Sequence, residues 1–418
     1  MLPNTQAYAA LHIPDYRRFL AMRLMTTLTV QIMSVSVQYY IYLLTDDPLM
    51  LGLIGLTEAL PAIGISLWAG HLADKKNRRN ILIGCISLLL VCTVALLAVA
   101  LNEARLPHKT LLLSIYTIIF FTGIARGFFS PTNFAFLPQI VDRDKLQNAI
   151  NWNSSTWEVA SITGLALGGV IFGSGGGIAA FATMSVLCGL ALVFTLQIKP
   201  RQVPAFDQTE TALRRISEGL KFVFNNQLII GSIAMDLFAV FFGGAVALMP
   251  VFAKDILHVG PQGAGILRAS MAVGAITMAI FLAHRPLGKN AGKIMLFCVA
   301  GFGLCNIFFG LSTNFFLSCL LLLLAGMFDE VSVFIRSALV QFQTPENMKG
   351  RVSSVSSIFI TSSNELGAFE SGLAARFMGT VPSVVFGGLM TLGVVAFTWW
   401  RAPKLRNYDF EGQTDHLP

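Results

Sequence analysis

Residues 70–80 read GHLADKKNRRN, and they stand between two long apolar runs, LMLGLIGLTEALPAIGISLWA (49–69) and ILIGCISLLLVCTVALLAVAL (81–101). Each run has the length, about 20 residues, that a helix needs to cross a hydrocarbon core of about 30 Å. The break between them carries Asp74 and four basic residues, which need water or a partner. This pattern predicts two membrane-spanning helices joined by a short charged loop at the membrane surface.

The composition of the whole chain is that of a membrane protein. Hydrophobic residues make up 55% of the 418 residues, charged residues make up 12%, and phenylalanine occurs 33 times. Apolar runs of similar length recur along the chain, whereas a membrane-spanning strand would be about 10 residues long and alternate in polarity. The sequence therefore predicts an all-α polytopic membrane protein.

Twelve apolar runs can be separated by their polar breaks. Turn-forming residues mark several of the breaks, among them DDP at 46–48 and GSGGG at 173–177. We predict twelve transmembrane helices, at 19–44, 49–73, 79–101, 110–135, 148–172, 177–198, 227–252, 261–283, 291–312, 314–338, 352–378 and 381–401.

Basic residues are distributed very unevenly over these spans. Of the 24 Lys and Arg residues outside the spans, 21 lie on the side of the N-terminus, and only Arg105, Lys109 and Lys254 lie on the other. The positive-inside rule then predicts that both termini are cytoplasmic. This placement accounts for the net charge of +7, so no nucleic-acid partner is expected. The remaining five lie within spans: Arg23, Arg126, Arg268, Arg336 and Arg376.

The chain divides into two halves of six spans. Residues 199–226 form the longest polar stretch between spans, and ALRRISEGLKFVF (212–224) within it predicts an amphipathic helix at the membrane surface. LPQIVDRDKLQNAIN (137–151), after the fourth span, is similar to LVQFQTPENMKGRVS (339–353), after the tenth. We predict a six-helix bundle at 1–198, a linker at 199–226, a second six-helix bundle at 227–405 and a cytoplasmic tail at 406–418.

The loop between spans two and three reads G-x-L-A-D-K-x-x-R-R, carried by Gly70, Leu72, Ala73, Asp74, Lys75, Arg78 and Arg79. With twelve spans and a central cytoplasmic loop, this pattern resembles the major facilitator superfamily, whose loop motif is G-x-L-[AG]-D-[RK]-x-G-R-[RK]. Asn77 stands where the family usually has Gly, and Asn tolerates a left-handed backbone better than most residues.

The resemblance implies two pseudo-symmetric bundles and a cytoplasmic gate. In the family, the Asp at position 74 is understood to lock the cytoplasmic ends of the bundles together when the cavity faces outward. The alternative is a basic loop that only sets the topology; the fixed place of Asp74 beside Gly70 and Arg78 favours the gate.

Longer stretches narrow the resemblance. RGFFSPTNFAFLPQIVDRDKLQNAIN (126–151) and SSNELGAFESGLAARFMG (362–379), among others, look like the bacterial exporter branch that includes enterobactin exporters and macrolide efflux proteins. The similarity covers nearly all of residues 10–405 and implies transport, although that branch carries chemically unlike cargo. Antiporters often carry G-x-x-x-G-P-x-x-G-G on span five; here SITGLALGGVI has Gly164, Gly168 and Gly169 but no Pro, and its small residues also predict close helix packing.

Seven acidic residues lie within predicted spans, where a charge costs at least roughly 2.5–3.5 kcal/mol. They are candidates for proton coupling: Asp236, Glu365, Glu58, Glu158, Asp329, Glu330 and Glu370. Asp236 has no basic residue nearby in the sequence, and an unpaired acid in a low dielectric favours its protonated form, as a proton carrier requires. Glu365 lies near the middle of span eleven. Asp236 and Glu365 are the preferred candidates, followed by Glu58.

Two arginines are expected to be buried partners of these acids. Arg126 on span four can pair with Glu58 on span two or with Glu158 on span five, and such a pair can be functional or structural; the sequence leaves both choices open. Arg336 and Asp329 are seven residues apart, about 10 Å along a helix, so each needs a partner elsewhere.

Aromatic and polar residues within the spans are candidates for a substrate cavity, because facilitator cavities draw on spans one, four, seven and ten. A core or lipid-facing position is the alternative for most of them. These candidates are Gln31, Gln38, Tyr39, Asn133, Trp157, Phe238 and Phe241.

Motifs for other functions are absent from the sequence. It has no GxxxxGK[ST], no HExxH and no G-x-S-x-G, and its six cysteines lack metal-ligand spacing, so no enzyme activity, cofactor or metal is expected. The prediction is a monomeric secondary transporter of the bacterial inner membrane that uses protons to export an amphipathic small molecule, a siderophore or a hydrophobic drug. An uptake carrier or facilitator of the same fold is one alternative, and a membrane sensor or scaffold is another.

Overall fold

The computed structural model describes residues 8–201, 212–284, 289–345 and 348–410; the side chains of 66–71, 73–75, 212–216, 350, 354, 357 and 361 lie outside this description. The described chain contains helices and turns and no strand.

Thirteen α-helices of four or more residues follow one another along the described chain. They are α1 (Pro14–Thr45), α2 (Pro48–Lys75), α3 (Arg78–Leu101), α4 (His108–Ile140), α5 (Leu146–Gln197), α6 (Ala212–Asn225), α7 (Gln227–Phe242), α8 (Gly260–His284), α9 (Ala291–Leu311), α10 (Phe315–Gln343), α11 (Lys349–Met378), α12 (Thr380–Arg401) and α13 (Pro403–Arg406).

Ten segments of the described chain are long and apolar enough to cross a membrane. One of them contains all of α5, which is interrupted at Gly175 and Gly176; Gly176 has a φ of +63° and a ψ of −161°, a conformation open to glycine alone. The predicted GSGGG turn is thus a break between two spans. The remaining span is α11, whose 30 residues extend about 45 Å and include five charged residues, Lys349, Arg351, Glu365, Glu370 and Arg376. The prediction of a twelve-helix, all-α membrane protein is confirmed.

Asparagine side chains begin several of the helices. The Oδ1 atoms of Asn77, Asn226 and Asn314 accept hydrogen bonds from backbone N–H groups in the first turns of α3, α7 and α10. These N–H groups have no partner within their own helices, so the asparagines determine where the helices start.

The chain forms two compact units. The first consists of Met1–Ile41 and Thr57–Ala212, and the second of Tyr42–Leu56 and Leu213–Pro418. The segment 42–56 contains the end of α1 and the first part of α2, and it therefore packs with the second unit. The bundle boundaries at 198 and 227 remain a prediction.

Glycines bring α5 against α1 in the first unit. A Cβ added at Gly164 would lie 2.7 Å from the Cβ of Gln31, and one at Gly168 would lie 3.1 Å from the Cα of Ile32. These distances are too short for larger side chains. The close packing predicted from the small residues of span five is confirmed.

Opposite charges hold the segment 42–56 within the second unit. Asp46 pairs with Lys254, which lies in a π-helical turn at Phe252–Ile256, and Asp47 pairs with Arg376 at an Nη1–Oδ2 distance of 2.8 Å. The Tyr42 hydroxyl donates a hydrogen bond to Asp255 in the same π-helical turn. In addition, glycines near the start of α2 allow its backbone to contact α11 closely.

The predicted linker helix is present as α6, and it packs on the second unit. Val223 is fully buried, and the Glu218 carboxylate pairs with Arg351 near the start of α11. Part of the apolar face of α6 is therefore covered by protein.

The chain after α12 also belongs to the core of the second unit. Leu405, Tyr408 and Phe410 are buried, and the N–H of Gly292 at the start of α9 donates a hydrogen bond to the Tyr408 carbonyl over 3.0 Å. A Cβ at Gly292 would lie 1.8 Å from the carbonyl oxygen of Leu405. Residues up to 410 of the predicted cytoplasmic tail are thus packed against the helix ends.

Candidate functional site

Glu58 and Arg126 form an ion pair inside the first unit. Their Oε1 and Nη1 atoms are 2.6 Å apart, and 15% of the Glu58 side chain and 43% of the Arg126 side chain are exposed. The partner that the sequence left open is therefore Glu58. The guanidinium is partly exposed, whereas the carboxylate is mostly covered. The accessible part of this ion pair is therefore the basic side chain.

Two glycines on α4 make this pair possible. A Cβ at Gly123 would lie 2.3 Å from the carbonyl oxygen of Glu58, and one at Gly127 would lie 2.9 Å from that of Ala62. Since α2 and α4 are in backbone contact on both sides of Arg126, the guanidinium reaches Glu58 across a short gap.

Asp236 and Arg336 form a buried ion pair in the second unit. Asp236 lies on α7 and Arg336 on α10, and only 8% and 6% of their side chains are exposed. Arg336 thus supplies the basic partner that the sequence around Asp236 lacks. The preference for Asp236 as a proton carrier rested on its having no partner, so the physical reason for that preference no longer holds.

Glu365 lies where three helices of the second unit meet. A Cβ at Gly55 on α2 would be 2.9 Å from the Oε2 atom of Glu365, so the carboxylate rests on the backbone of α2. The guanidinium of Arg268 on α8 interacts electrostatically with the same carboxylate. Glu365 is therefore a half-buried acid. Its carboxylate contacts the backbone of α2 and interacts with the guanidinium of Arg268 on α8.

The remaining candidate acids are all half-buried within their spans: Glu158, Asp329, Glu330 and Glu370. Glu370 accepts a hydrogen bond of 3.5 Å from the hydroxyl of Ser371 on its own helix. The ion pairs found among the described residues do not include Glu158 or Asp329.

The two units carry opposite charges at corresponding positions of their helices. Gly326 on α10 lies against α8 as Gly123 on α4 lies against α2; a Cβ at Gly326 would be 2.0 Å from the carbonyl oxygen of Met271. Three residues after each glycine stands a charge, Arg126 in the first unit and Asp329 in the second. The sequence repeat therefore extends to the packing of the helices, with the sign of this charge reversed.

The basic residues of the loop motif bind carbonyl groups at helix ends of the first unit. Arg78 Nη1 donates to the Ala135 carbonyl over 2.8 Å, and Arg79 Nη2 donates to the Leu196 carbonyl over 2.7 Å. The side chains of Gly70, Asp74 and Lys75 lie outside the described residues, so the predicted gate contact of Asp74 stays a prediction.

Asn77 does not use the left-handed conformation that asparagine tolerates. Its φ is −62° and its ψ is 114°, because it caps α3 through its Oδ1 atom. Its Nδ2 atom also donates a hydrogen bond of 3.0 Å to the carbonyl of Arg201, at the start of the linker. Asn therefore replaces the usual Gly with a helix cap that also holds the chain after α5.

The predicted cavity residues divide into buried and exposed groups. Tyr39 and Asn133 are buried, at 3% and 5% exposure, and the Tyr39 ring packs on Phe172 with centroids 5.6 Å apart. Trp157 and Phe238 are 44% and 49% exposed. Gln31, Gln38 and Phe241 are intermediate, and the Cβ of Gln31 is packed against Gly164. Their roles in binding remain a prediction.

Arg23 on α1 was counted among the in-span charges but received no role from the sequence. Its guanidinium lies 5.9 Å from the centre of the Phe129 ring on α4, and its buried Nε atom has no hydrogen-bond partner among the described residues. No signal in the sequence singles out Arg23, because the acids beside Arg268, Arg336 and Arg376 are brought to them by tertiary contacts.

Twelve helices in two units, with charged side chains paired inside the units, are the architecture of a membrane transporter. The comparisons with known proteins agree. The family described as transmembrane secretion effector matches residues 5–417, so the chain belongs to this family, within the major facilitator superfamily.

Individual relatives are similar over almost the whole length. The enterobactin exporter EntS of Citrobacter koseri is 25% identical over 394 residues, which cover 91% of each chain. Among solved structures, a bacterial homologue of the human lysosomal transporter Spinster superposes with a TM-score of 0.74 at 12% identity, covering 94% of this chain and 96% of that one. A D-xylose–proton symporter superposes with a TM-score of 0.71 at 12% identity, covering 95% and 98%. The structural likeness concerns the fold.

Proposed function

We propose that this chain exports an amphipathic small molecule, a siderophore or a hydrophobic antibiotic, across the bacterial inner membrane in exchange for protons. The direction and the siderophore are suggested by the enterobactin exporters to which the chain is similar. Both termini are then cytoplasmic, as the basic loops favour, and the transporter acts as a monomer.

The position of Glu365 carries the proton-coupling part of the proposal. Its carboxylate lies on the backbone of α2 at Gly55 and interacts with Arg268 on α8. Protonation removes the negative charge that attracts Arg268, so the packing of α8, α11 and the start of α2 changes with the protonation state. A single proton can in this way bias two arrangements of the helices.

Everted vesicles with an acid lumen and a pH-sensitive dye test the proposal. Enterobactin, a macrolide and a cationic drug are added in turn to vesicles with wild type, Glu365→Gln, Asp74→Asn or Asp144→Asn. Asp144 is an exposed acid outside the spans, so its variant is a matched control for loss of one carboxylate. We expect one ligand class to release protons from wild-type and Asp144→Asn vesicles, no release with Glu365→Gln, and slower release with Asp74→Asn.

Three results would contradict parts of the proposal. Proton release that survives in Glu365→Gln moves the coupling to another acid. Cargo that enters only to its external concentration, at a rate that does not change when the pH gradient is collapsed, indicates a facilitator. No accumulation of any ligand by correctly folded protein contradicts export of this class of molecule.

A further inference from the structure

Four of the five in-span arginines interact with an acid. Arg126 pairs with Glu58, Arg336 with Asp236 and Arg376 with Asp47, and Arg268 interacts with Glu365. Each cation is thereby neutralised within the protein.

Arg23 is different. Among the described residues its contact is the face of the Phe129 ring, at 5.9 Å, and no carboxylate lies within ion-pair distance of it. Its Nε–H group is buried and donates to nothing in the described chain. A ring face attracts a cation, but it does not neutralise the charge or accept an in-plane hydrogen bond.

An orphan acceptor stands on the same helix face as Phe129. Asn133 follows Phe129 by four residues on α4, so the two side chains are neighbours along that face. Asn133 is only 5% exposed, and its Oδ1 atom has no hydrogen-bond partner among the described residues. The α1–α4 face thus combines a cation whose buried donor is unsatisfied, an aromatic ring and a buried acceptor that is also unsatisfied.

A cation in a membrane span is costly unless something neutralises it. Arg23 is nine residues from the first residue of α1, about 14 Å along the helix. Since the described residues of the protein do not supply the missing negative charge, a molecule that binds there can.

We propose that Arg23 binds an acidic group of the transported molecule, with Phe129 against its apolar or aromatic body. The substrate class is then an amphipathic acid that bears a carboxylate or an ionised phenol, and a separate hydroxyl or N–H group of the same molecule donates a hydrogen bond to the Oδ1 atom of Asn133. This assignment rests on the proposed transport function. The same oxyanion chemistry is available from a lipid phosphate, so the experiment separates cargo from lipid.

The test compares wild type with Arg23→Met, Arg23→Lys and Arg17→Gln. Arg17 lies on the same helix, is exposed and precedes the first predicted span, so its variant controls for the loss of one positive charge. Everted vesicles are given fusidate, its neutral methyl ester, a tricatechol siderophore and a cationic macrolide. We expect wild type and Arg17→Gln to accumulate one or both acids at least tenfold faster than the ester or the macrolide. Arg23→Met should lose this preference, and Arg23→Lys should keep part of it.

Stability and lipid composition provide two further readouts. Because Arg23→Met removes a charge without an acidic partner, it should unfold in detergent at the wild-type temperature or above. Arg23→Met is also purified and placed in phosphatidylcholine vesicles, with and without phosphatidylglycerol. Its loss of the preference for acids should be equal in the two kinds of vesicle.

Each other outcome overturns the inference in a recognisable way. Wild type that moves only the ester or the macrolide leaves export standing and removes the acid-binding role, as does an Arg23→Met variant that keeps the preference. A marked loss of thermal stability in Arg23→Met makes Arg23 structural. A defect seen only with phosphatidylglycerol assigns the anion to lipid, and wild type that moves none of the four compounds contradicts both the inference and the proposed export.

Discussion

The buried pair of Asp236 and Arg336 makes a quantitative prediction. If the pair is a structural connection between α7 and α10, replacing either residue alone should be far more damaging than replacing both. The variants are Asp236→Leu, Arg336→Met and the double variant. Leucine and methionine fill similar space and carry no charge that needs a partner.

The magnitude follows from the burial of the two side chains. With 8% and 6% of their side chains exposed, neither charge is reached by much solvent, so removing one partner leaves an uncompensated buried charge. Such a loss costs roughly 3–5 kcal/mol, whereas replacing a whole buried pair by apolar residues is often neutral or stabilising. The double variant should therefore be more stable than either single variant, with an interaction energy of at least roughly 3 kcal/mol.

The measurement is the free energy of unfolding in mixed micelles, obtained by titration with sodium dodecyl sulfate. The exposed pair of Asp142 and Lys145, with an Oδ2–Nζ distance of 3.4 Å and 73% of the Asp142 side chain exposed, is the matched control. A cycle on that pair should give an interaction energy below roughly 1 kcal/mol.

Additive costs at Asp236 and Arg336 would refute the reasoning, because two residues that do not interact give no coupling. The double variant also tests the proton carrier. If it folds and still exchanges protons for cargo, Asp236 is not the carrier; if it folds and transports cargo without protons, the original preference for Asp236 is restored.

Three further predictions concern packing and capping; thermal unfolding in detergent tests the first and the third, and the yield of folded protein tests the second. Asn77→Ala should lower the stability by roughly 1 kcal/mol, because α3 loses its cap; an unchanged unfolding temperature would mean that water replaces the side chain. Gly123→Ala should sharply reduce the yield of folded protein, since its Cβ would lie 2.3 Å from a carbonyl oxygen of α2, whereas Gly189→Ala, with open space around it, should be tolerated; equal yields would contradict the close helix contact. Gly292→Ala should destabilise the second unit by displacing the carbonyl of Leu405, and a truncation after residue 401 should remove this sensitivity; a variant as stable as wild type in the full chain would show that the segment after α12 does not pack there.

The spans and their breaks could be predicted from the sequence because the membrane imposes a local rule. Backbone groups in hydrocarbon must form hydrogen bonds within the same segment, so an apolar run of about 20 residues is a helix whatever surrounds it. The break at Gly175 and Gly176 and the linker helix α6 follow from local composition in the same way.

The site residues were only partly predictable. That Arg126 would have an acidic partner followed from the cost of an unpaired charge, but the choice of Glu58 over Glu158 depends on the contact of Gly123 and Gly127 with α2. The family motif placed Asn77 in the loop before α3, but its role as the cap of that helix depends on the hydrogen bond of its side chain.

By itself, the sequence determined which segments cross the membrane, which side carries the basic loops and which charges lie inside. The tertiary structure alone decided which of those charges meet. Asp236 and Arg336 are a hundred residues apart and their partnership depends on the rotation of α7 and α10, which a pattern uncertain by a few residues does not define. Arg23 stands out for the same reason: its lack of an acidic partner can be seen only after every other in-span arginine has been placed beside an acid.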